Sequence, residues 1–178
     1  NCFYSTEFEC VVPAEPINFS GSTELSDFNG YAVSCNGTFN GEIFTDVLGG
    51  IEPYAYSWTG PNDFTSTDQN LSFLFAGSYD LIVTDSLGCE FDTTFVVTQP
   101  DVIQISVEEY ILPSCNLSSD GLLSIDVEGG QPFFDEDGNP YYEYVWENEN
   151  GDVISSDSFV NNLSSGNYIV SVYDSYFD

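Results

Sequence analysis

The sequence predicts an all-β protein made of antiparallel sandwiches repeated in tandem. Three observations predict it. Apolar and polar residues alternate at period two through most of the chain, and no useful length shows a period of 3.6. Turn-forming residues recur roughly every 8–12 positions, the spacing of short sandwich strands. The third is self-similarity: "SCNGTFNGEIFTDVLGG" from Ser34 returns as "SCNLSSDGLLSIDVEGG" from Ser114, eighty residues later and without a gap. A period of that length marks an array of modules, here two of about 85 residues each.

The elements follow in order. Residues 1–15 read as the closing strand of an earlier copy, 16–99 as one full repeat, and 100–178 as a second that stops short of its last strand. Around Ile43, Thr45 and Val47, and again around Leu123, Ile125 and Val127, alternation gives the second strand of each copy. The pairs Gly49-Gly50 and Gly129-Gly130 then turn the chain into an aromatic third strand, "YAYSW" and "YEYVW", ending at Trp58 and Trp146. Tyr54, Tyr56, Tyr142 and Tyr144 share the tryptophan face. In "GSYDLIVTD" Tyr79, Leu81 and Val83 point one way, and in "GNYIVSVYD" Tyr168, Val170 and Val172 do the same. Phe91, Thr93, Phe95 and Val97 make the closing strand of the first copy. Ile103, Ile105 and Val107 open the second copy beyond a joint at Gln99-Pro100. "SLG" at Ser86 and Asn150-Gly151 read as hairpin turns, the latter of type I′.

A tryptophan buried in the third strand is an Ig-like arrangement, and Tyr79 and Tyr168 stand where a tyrosine corner belongs. The expected fold is therefore tandem Ig-like antiparallel β-sandwich repeats. Trp58, Trp146, Tyr79 and Tyr168 form its core, because alternation turns them inward.

The combination of "SCNG", the glycine pair, "PYAYSW" and "AGSYDLIVTDSLGC" resembles the SprB-type repeat of giant cell-surface adhesins in gliding Bacteroidetes. The resemblance implies export by the type IX secretion system to the cell surface, a stalk or filament role, and no catalysis. The second copy departs from the pattern. It inserts "FFDEDGNPY" after its glycine pair and reads "DSYFD" where the first copy reads "DSLGC".

The charge excludes several functions. Thirty acidic residues face no Lys, Arg or His, a formal net charge of −30. Nothing can neutralise phosphates, so nucleic acid and anionic membrane are excluded as direct partners. No intrachain salt bridge is possible, and the self-repulsion calls for divalent cations from a salty exterior. No apolar run is long enough for a membrane-spanning helix. The missing Lys and Arg also remove every site for a trypsin-like protease.

Without His, Lys or Arg, histidine catalysis and side-chain oxyanion binding are absent, and the carboxylates show no distinctive motif for glycoside hydrolysis. Asp135, Asp137 and Asn139 in "DEDGN" offer hard oxygens at alternate positions, as in the first half of a calcium loop. The closing glutamate is missing, and a solvated acidic turn is the other reading. Five cysteines suggest an oxidising compartment. The simplest scheme joins Cys35 to Cys89 and Cys2 to Cys10, and leaves Cys115 for a partner beyond residue 178. A staple between stacked neighbours and free thiols are the alternatives. Ser86 and Thr93 lie in patterns that resemble Bacteroidetes O-glycosylation signals. The partners expected are neighbouring repeats, lateral copies and divalent cations. A glycan-binding sandwich module is the competing function.

Overall fold

The computed structural model describes residues 15–20, 23–115 and 117–176. It is all-β: the described residues contain strands, turns and a single 3₁₀ turn at Pro61–Asp63. Two compact units form, Asn1–Ser26 with Gly41–Val97, and Asp27–Asn40 with Thr98–Asp178. The units do not coincide with the sequence period. Residues 27–40, which the period gives to the first copy, fold as part of the second unit.

In the first unit β1 (Asn18–Phe19) pairs with β4 (Val47–Leu48), and β2 (Glu24–Leu25) joins β3 (Gly41–Phe44) and β7 (Leu71–Leu74) in order β2-β3-β7. The opposing sheet runs β6-β5-β8-β9, from β5 (Ala55–Gly60), β6 (Phe64–Ser66), β8 (Gly77–Thr84) and β9 (Glu90–Val97). All pairings are antiparallel. Strand β8 shows why the alternation folds this way: Tyr79, Leu81 and Val83 are buried while Ser78, Asp80 and Ile82 are exposed. Ile43, Leu71 and Leu74 supply buried residues from one sheet, and Trp58, Leu81 and Val97 from the other. Since folding removes apolar area from water at ~25 cal/mol per Å², the two inward faces provide most of the driving force.

The second unit repeats the scheme. Strands β10 (Gln104–Ile111), β11 (Gly121–Glu128) and β16 (Phe159–Leu163) form one sheet in order β10-β11-β16. β14 (Glu143–Asn148), β15 (Val153–Ser155) and β17 (Tyr168–Tyr173) form another in order β15-β14-β17. Ile125, Trp146, Val160 and Leu163 make the buried cluster, with Tyr144, Tyr168 and Val170 packed against it. The insertion folds as a separate hairpin of β12 (Phe133–Phe134) and β13 (Pro140–Tyr141).

Two sequence expectations change. Strand β10 forms, but Ile105 and Val107 are exposed: it is a sheet edge whose register shifts between Val107 and Glu109, and neither face is covered. The Asn150-Gly151 turn is not type I′, which requires positive φ at both residues. Only Gly151 has it, at φ 81°. Cys35, Cys89 and Cys115 are free thiols, with Cys35 in the second compact unit and Cys89 in the first. Cys2 and Cys10 lie outside the described residues.

Candidate functional site

Each unit builds the same corner from residues far apart in sequence. In the first, the Ile51 N–H donates to Asp85 Oδ2 at 3.2 Å, and the Ser86 N–H donates to the Ile51 carbonyl at 2.9 Å. In the second, Gln131 N–H donates to Asp174 Oδ2 at 2.9 Å, and Ser175 N–H to the Gln131 carbonyl at 2.8 Å. The glycine pair makes this possible. A Cβ on Gly49 would sit 2.2 Å from the Pro16 carbonyl oxygen, and one on Gly129 2.2 Å from that of Val102. Both glycines also hold positive φ, so any other residue clashes and strains. Tyr54 and Tyr142 each donate a phenol hydrogen bond to the first glycine's carbonyl.

Asp85 and Asp174 are buried in these corners, yet neither has a cationic neighbour. Backbone donors take that role. Hydrogen bonding from the Cys89 N–H, and also from Leu87, Ile51 and Gly88, outweighs burial and holds the Asp85 carboxyl below its ordinary value. Backbone N–H groups thus do what arginine does elsewhere.

The turn beginning at Asp85 is one of three built alike. Asp85 Oδ1 accepts from the N–H groups of Leu87 and Cys89, both at 2.9 Å. Asp135 Oδ1 accepts from Asp137 at 3.0 Å and Asn139 at 2.8 Å, and Asn148 Oδ1 from Asn150 at 2.9 Å and Asp152 at 3.0 Å. A positive-φ glycine follows in each, at Gly88, Gly138 and Gly151. This is a hairpin loop capped by an Asx side chain. In the "DEDGN" loop the Asn139 side-chain amide also donates to Asp135 Oδ2 at 3.0 Å. Asp135, Asp137 and Asn139 are exposed, and their spacing is that of a hairpin turn. Among the described residues no group of three or more His, Cys, Asp or Glu is arranged to hold a metal ion.

The second corner is occupied by a strap, residues 27–40 of the same unit. Gln131 is 3% exposed, and its Nε2 donates to the carbonyls of Phe28 at 2.9 Å and Ser34 at 3.4 Å. Phe28 meets Tyr176 edge to face at 5.8 Å, and the Cys35 thiol donates to the Tyr176 carbonyl at 3.6 Å. Ala32 and Val33 are buried there, with N–H groups donating to the Thr98 carbonyl at 3.1 Å. Asn36 Nδ2 reaches the Pro100 carbonyl at 2.9 Å, and the Gly37 N–H reaches Gln99 Oε1 at 3.0 Å.

The other feature of the second unit is a shallow cleft of about 660 Å³ lined by Phe133, Tyr141, Tyr142, Tyr144 and Tyr173, with Glu143 and Asp174. Phe133 and Tyr141 stack at 5.3 Å with 22° between their planes. Burial, then Tyr144 and the nearby carboxylates, raise the Tyr142 phenol, and burial and Asp126 raise Tyr144. Both stay protonated donors at neutral pH.

Of the remaining residues singled out by sequence, Trp58, Trp146 and Tyr79 are buried and Tyr168 is half-buried. Trp58 Nε1 donates to the Asp68 carbonyl at 2.8 Å and Trp146 Nε1 to that of Asp157 at 2.9 Å. Tyr79 OH donates to Phe75 O at 3.0 Å and Tyr168 OH to Ser164 O at 2.9 Å, the same four-residue reach back in both copies. Ser86 is exposed at its turn, whereas Thr93 is half-buried in β9. The strap and the role of Gln131 were not read from the sequence. The one visible signal was the polar residue after the second glycine pair, where the first copy has Ile51.

Residues 33–63 match the family model of the SprB repeat. The match runs from the strap through the glycine pair to Trp58 and just beyond, so the similarity lies within the first copy. No curated protein matches the chain.

Proposed function

We propose that the chain is a pair of stalk repeats from a secreted bacterial cell-surface adhesin, with no catalysis of its own, carrying a binding region away from the cell in gliding or attachment. The observation that carries this reading is the SprB repeat match at residues 33–63, joined to a second copy with the same corner, tryptophan anchor and tyrosine corner. The all-β, two-unit build suits a structural repeat domain. Extracellular placement agrees with the absence of trypsin sites, and no helix among the described residues is long and apolar enough to cross a membrane. Antibodies raised to the chain should label intact cells and lose their target when type IX secretion is disabled. Labelling only after lysis would overturn the reading.

A glycan-binding module is the second reading, favoured by the stacked Phe133–Tyr141 pair on the rim of the aromatic cleft. Aromatic faces and carboxylates are the groups that hold sugar rings and hydroxyls. Glycan-array binding that disappears in Tyr141→Ala would establish it.

A further inference from the structure

The strap that fills the corner of the second unit has a counterpart that is largely exposed. "YAVSC" at Tyr31 becomes "ILPSC" at Ile111. Ala32 and Val33 are buried, whereas Leu112, in the place of Ala32, is 75% exposed. Pro113 replaces Val33 and lacks its N–H donor. The turns that end the two segments are nonetheless hydrogen-bonded alike. The Cys35 carbonyl accepts from the Thr38 N–H at 3.2 Å and its hydroxyl at 2.8 Å. The Cys115 carbonyl accepts from the Ser118 N–H at 3.0 Å and its hydroxyl at 2.9 Å. Ser34 N–H is held by Asn40 Oδ1 at 3.1 Å, and Ser114 N–H by Asp120 Oδ1 at 2.9 Å. The turn that ends the exposed strap is therefore already formed, which lowers the ordering entropy that opposes docking.

The first unit shows the complementary situation. Its corner has the same hydrogen bonds as the filled one, but Ile51 is 43% exposed where Gln131 is buried, and Leu87 is 70% exposed where Tyr176 meets Phe28. Here the corner is more apolar, and the free strap is more apolar too, with Leu112 in place of Ala32. The cysteines complete the match. In the filled corner the strap thiol lies on the carbonyl of Tyr176, the third residue of "DSY". In the open corner the equivalent turn, "DSLGC", ends in the exposed Cys89.

We infer that Leu112–Cys115 of one molecule docks on the Ile51–Asp85–Cys89 corner of a second copy, and that Cys115 and Cys89 then join in a disulfide. Repeats would thus link head to tail, each donating a strap to the next. The inference deepens the stalk reading and relies on it for neighbouring copies in the full-length protein. The reaction is a two-electron oxidation. The Cys115 and Cys89 S–H bonds break, one S–S bond forms, and a small-molecule disulfide such as oxidised glutathione takes up the electrons and protons as two thiols. The Leu117 N–H and the Ser118 hydroxyl hold the Cys115 thiol below its ordinary value, which increases the reactive thiolate.

The test uses the 178-residue chain with Cys2 and Cys10 changed to Ser, incubated with oxidised glutathione in native buffer and again in urea. Natively, a ladder of covalent oligomers is expected on non-reducing gels, with Cys89–Cys115 as the dominant link in peptide maps. Cys35→Ser should leave the ladder intact. Cys89→Ser or Cys115→Ser alone should abolish it, and mixing those two variants should stop at dimers. Leu112→Asp should slow cross-linking several-fold without changing thiol accessibility to a small alkylating reagent, and urea should erase the pair preference. Monomer with Cys89 and Cys115 merely glutathionylated, or indiscriminate linkage among all three thiols, would overturn the inference. Either result would leave the stalk reading to the cell-labelling experiment.

Discussion

Asp85 and Asp174 illustrate how single residues work in a chain without cations. Each is a buried acid solvated by amides, and for Asp85 this makes its contribution depend on ionisation. Because the folded Asp85 carboxyl is held below its unfolded value, its stabilisation is present above the unfolded pKa and lost as pH falls through the folded one. Asp85→Asn is therefore expected to lower the melting temperature at neutral pH, with the deficit full above about pH 5 and shrinking below about pH 4. Thermal melts of both proteins across that range decide it, and a deficit independent of pH would refute the role of charge. Asp120 obeys the same sign: hydrogen bonds from the Ser114 N–H and the Ser118 and Ser114 hydroxyls bring it to about 2. The tryptophans act through packing instead. Trp146→Ala should cost about 3–5 kcal/mol by chemical denaturation. Trp146→Phe should cost less, losing mainly the bond to the Asp157 carbonyl.

At the level of elements, the glycine pair and the Asx-capped turn do most of the shaping. Their contributions separate cleanly by substitution. Gly138 has φ +82° and open space around its missing Cβ, whereas Gly129 has φ +83° and the Val102 carbonyl oxygen at 2.2 Å. Gly138→Ala should cost about 1–2 kcal/mol, the left-handed backbone penalty alone. Gly129→Ala should cost clearly more in the same denaturation assay, and equal costs would remove the close approach from the account. Much of this level was legible beforehand. Alternation located β8 and β17, the aromatic runs located β5 and β14, and the glycine that opens β8 led to the tyrosine corner. What escaped was non-local. Period-two patterning places a strand but does not say whether another sheet covers it, so β10 was expected to bury a face it leaves exposed. Cys35 and Cys89 suggested a pair because the period placed 27–40 in the first copy, and only the fold reassigns that segment.

For the whole molecule the governing quantity is −30 formal charges with no opposite sign. Self-repulsion on that scale opposes compaction, and mobile cations relieve it according to valence as well as concentration. Calcium is expected to raise the melting temperature more than sodium at matched ionic strength, as calorimetry can measure. Equal effects would reduce the cation to a screening salt. If Asp135→Asn abolished the calcium increment the ion would be located at the "DEDGN" loop, and if the increment persisted it would belong to the acidic surface at large.

The seating of residues 27–40 in the second unit bears on how such genes grow and shrink. The stretch that is duplicated in the sequence is not the body that folds, because its strap completes a different body. A single excised copy, residues 16–99, would keep Ala32, Val33 and their acceptor Thr98 but lack residues 100–178, the bulk of the unit to which they belong. Such a fragment should be less stable than half of the pair. By contrast, in a longer array built on the proposed strap–corner link, unequal crossing-over in register with the period would add or delete a copy without breaking any match in the interior. Array length is then free to drift while every internal joint stays intact. The constraint falls on the two ends, where one strap and one corner are always left over and must be capped.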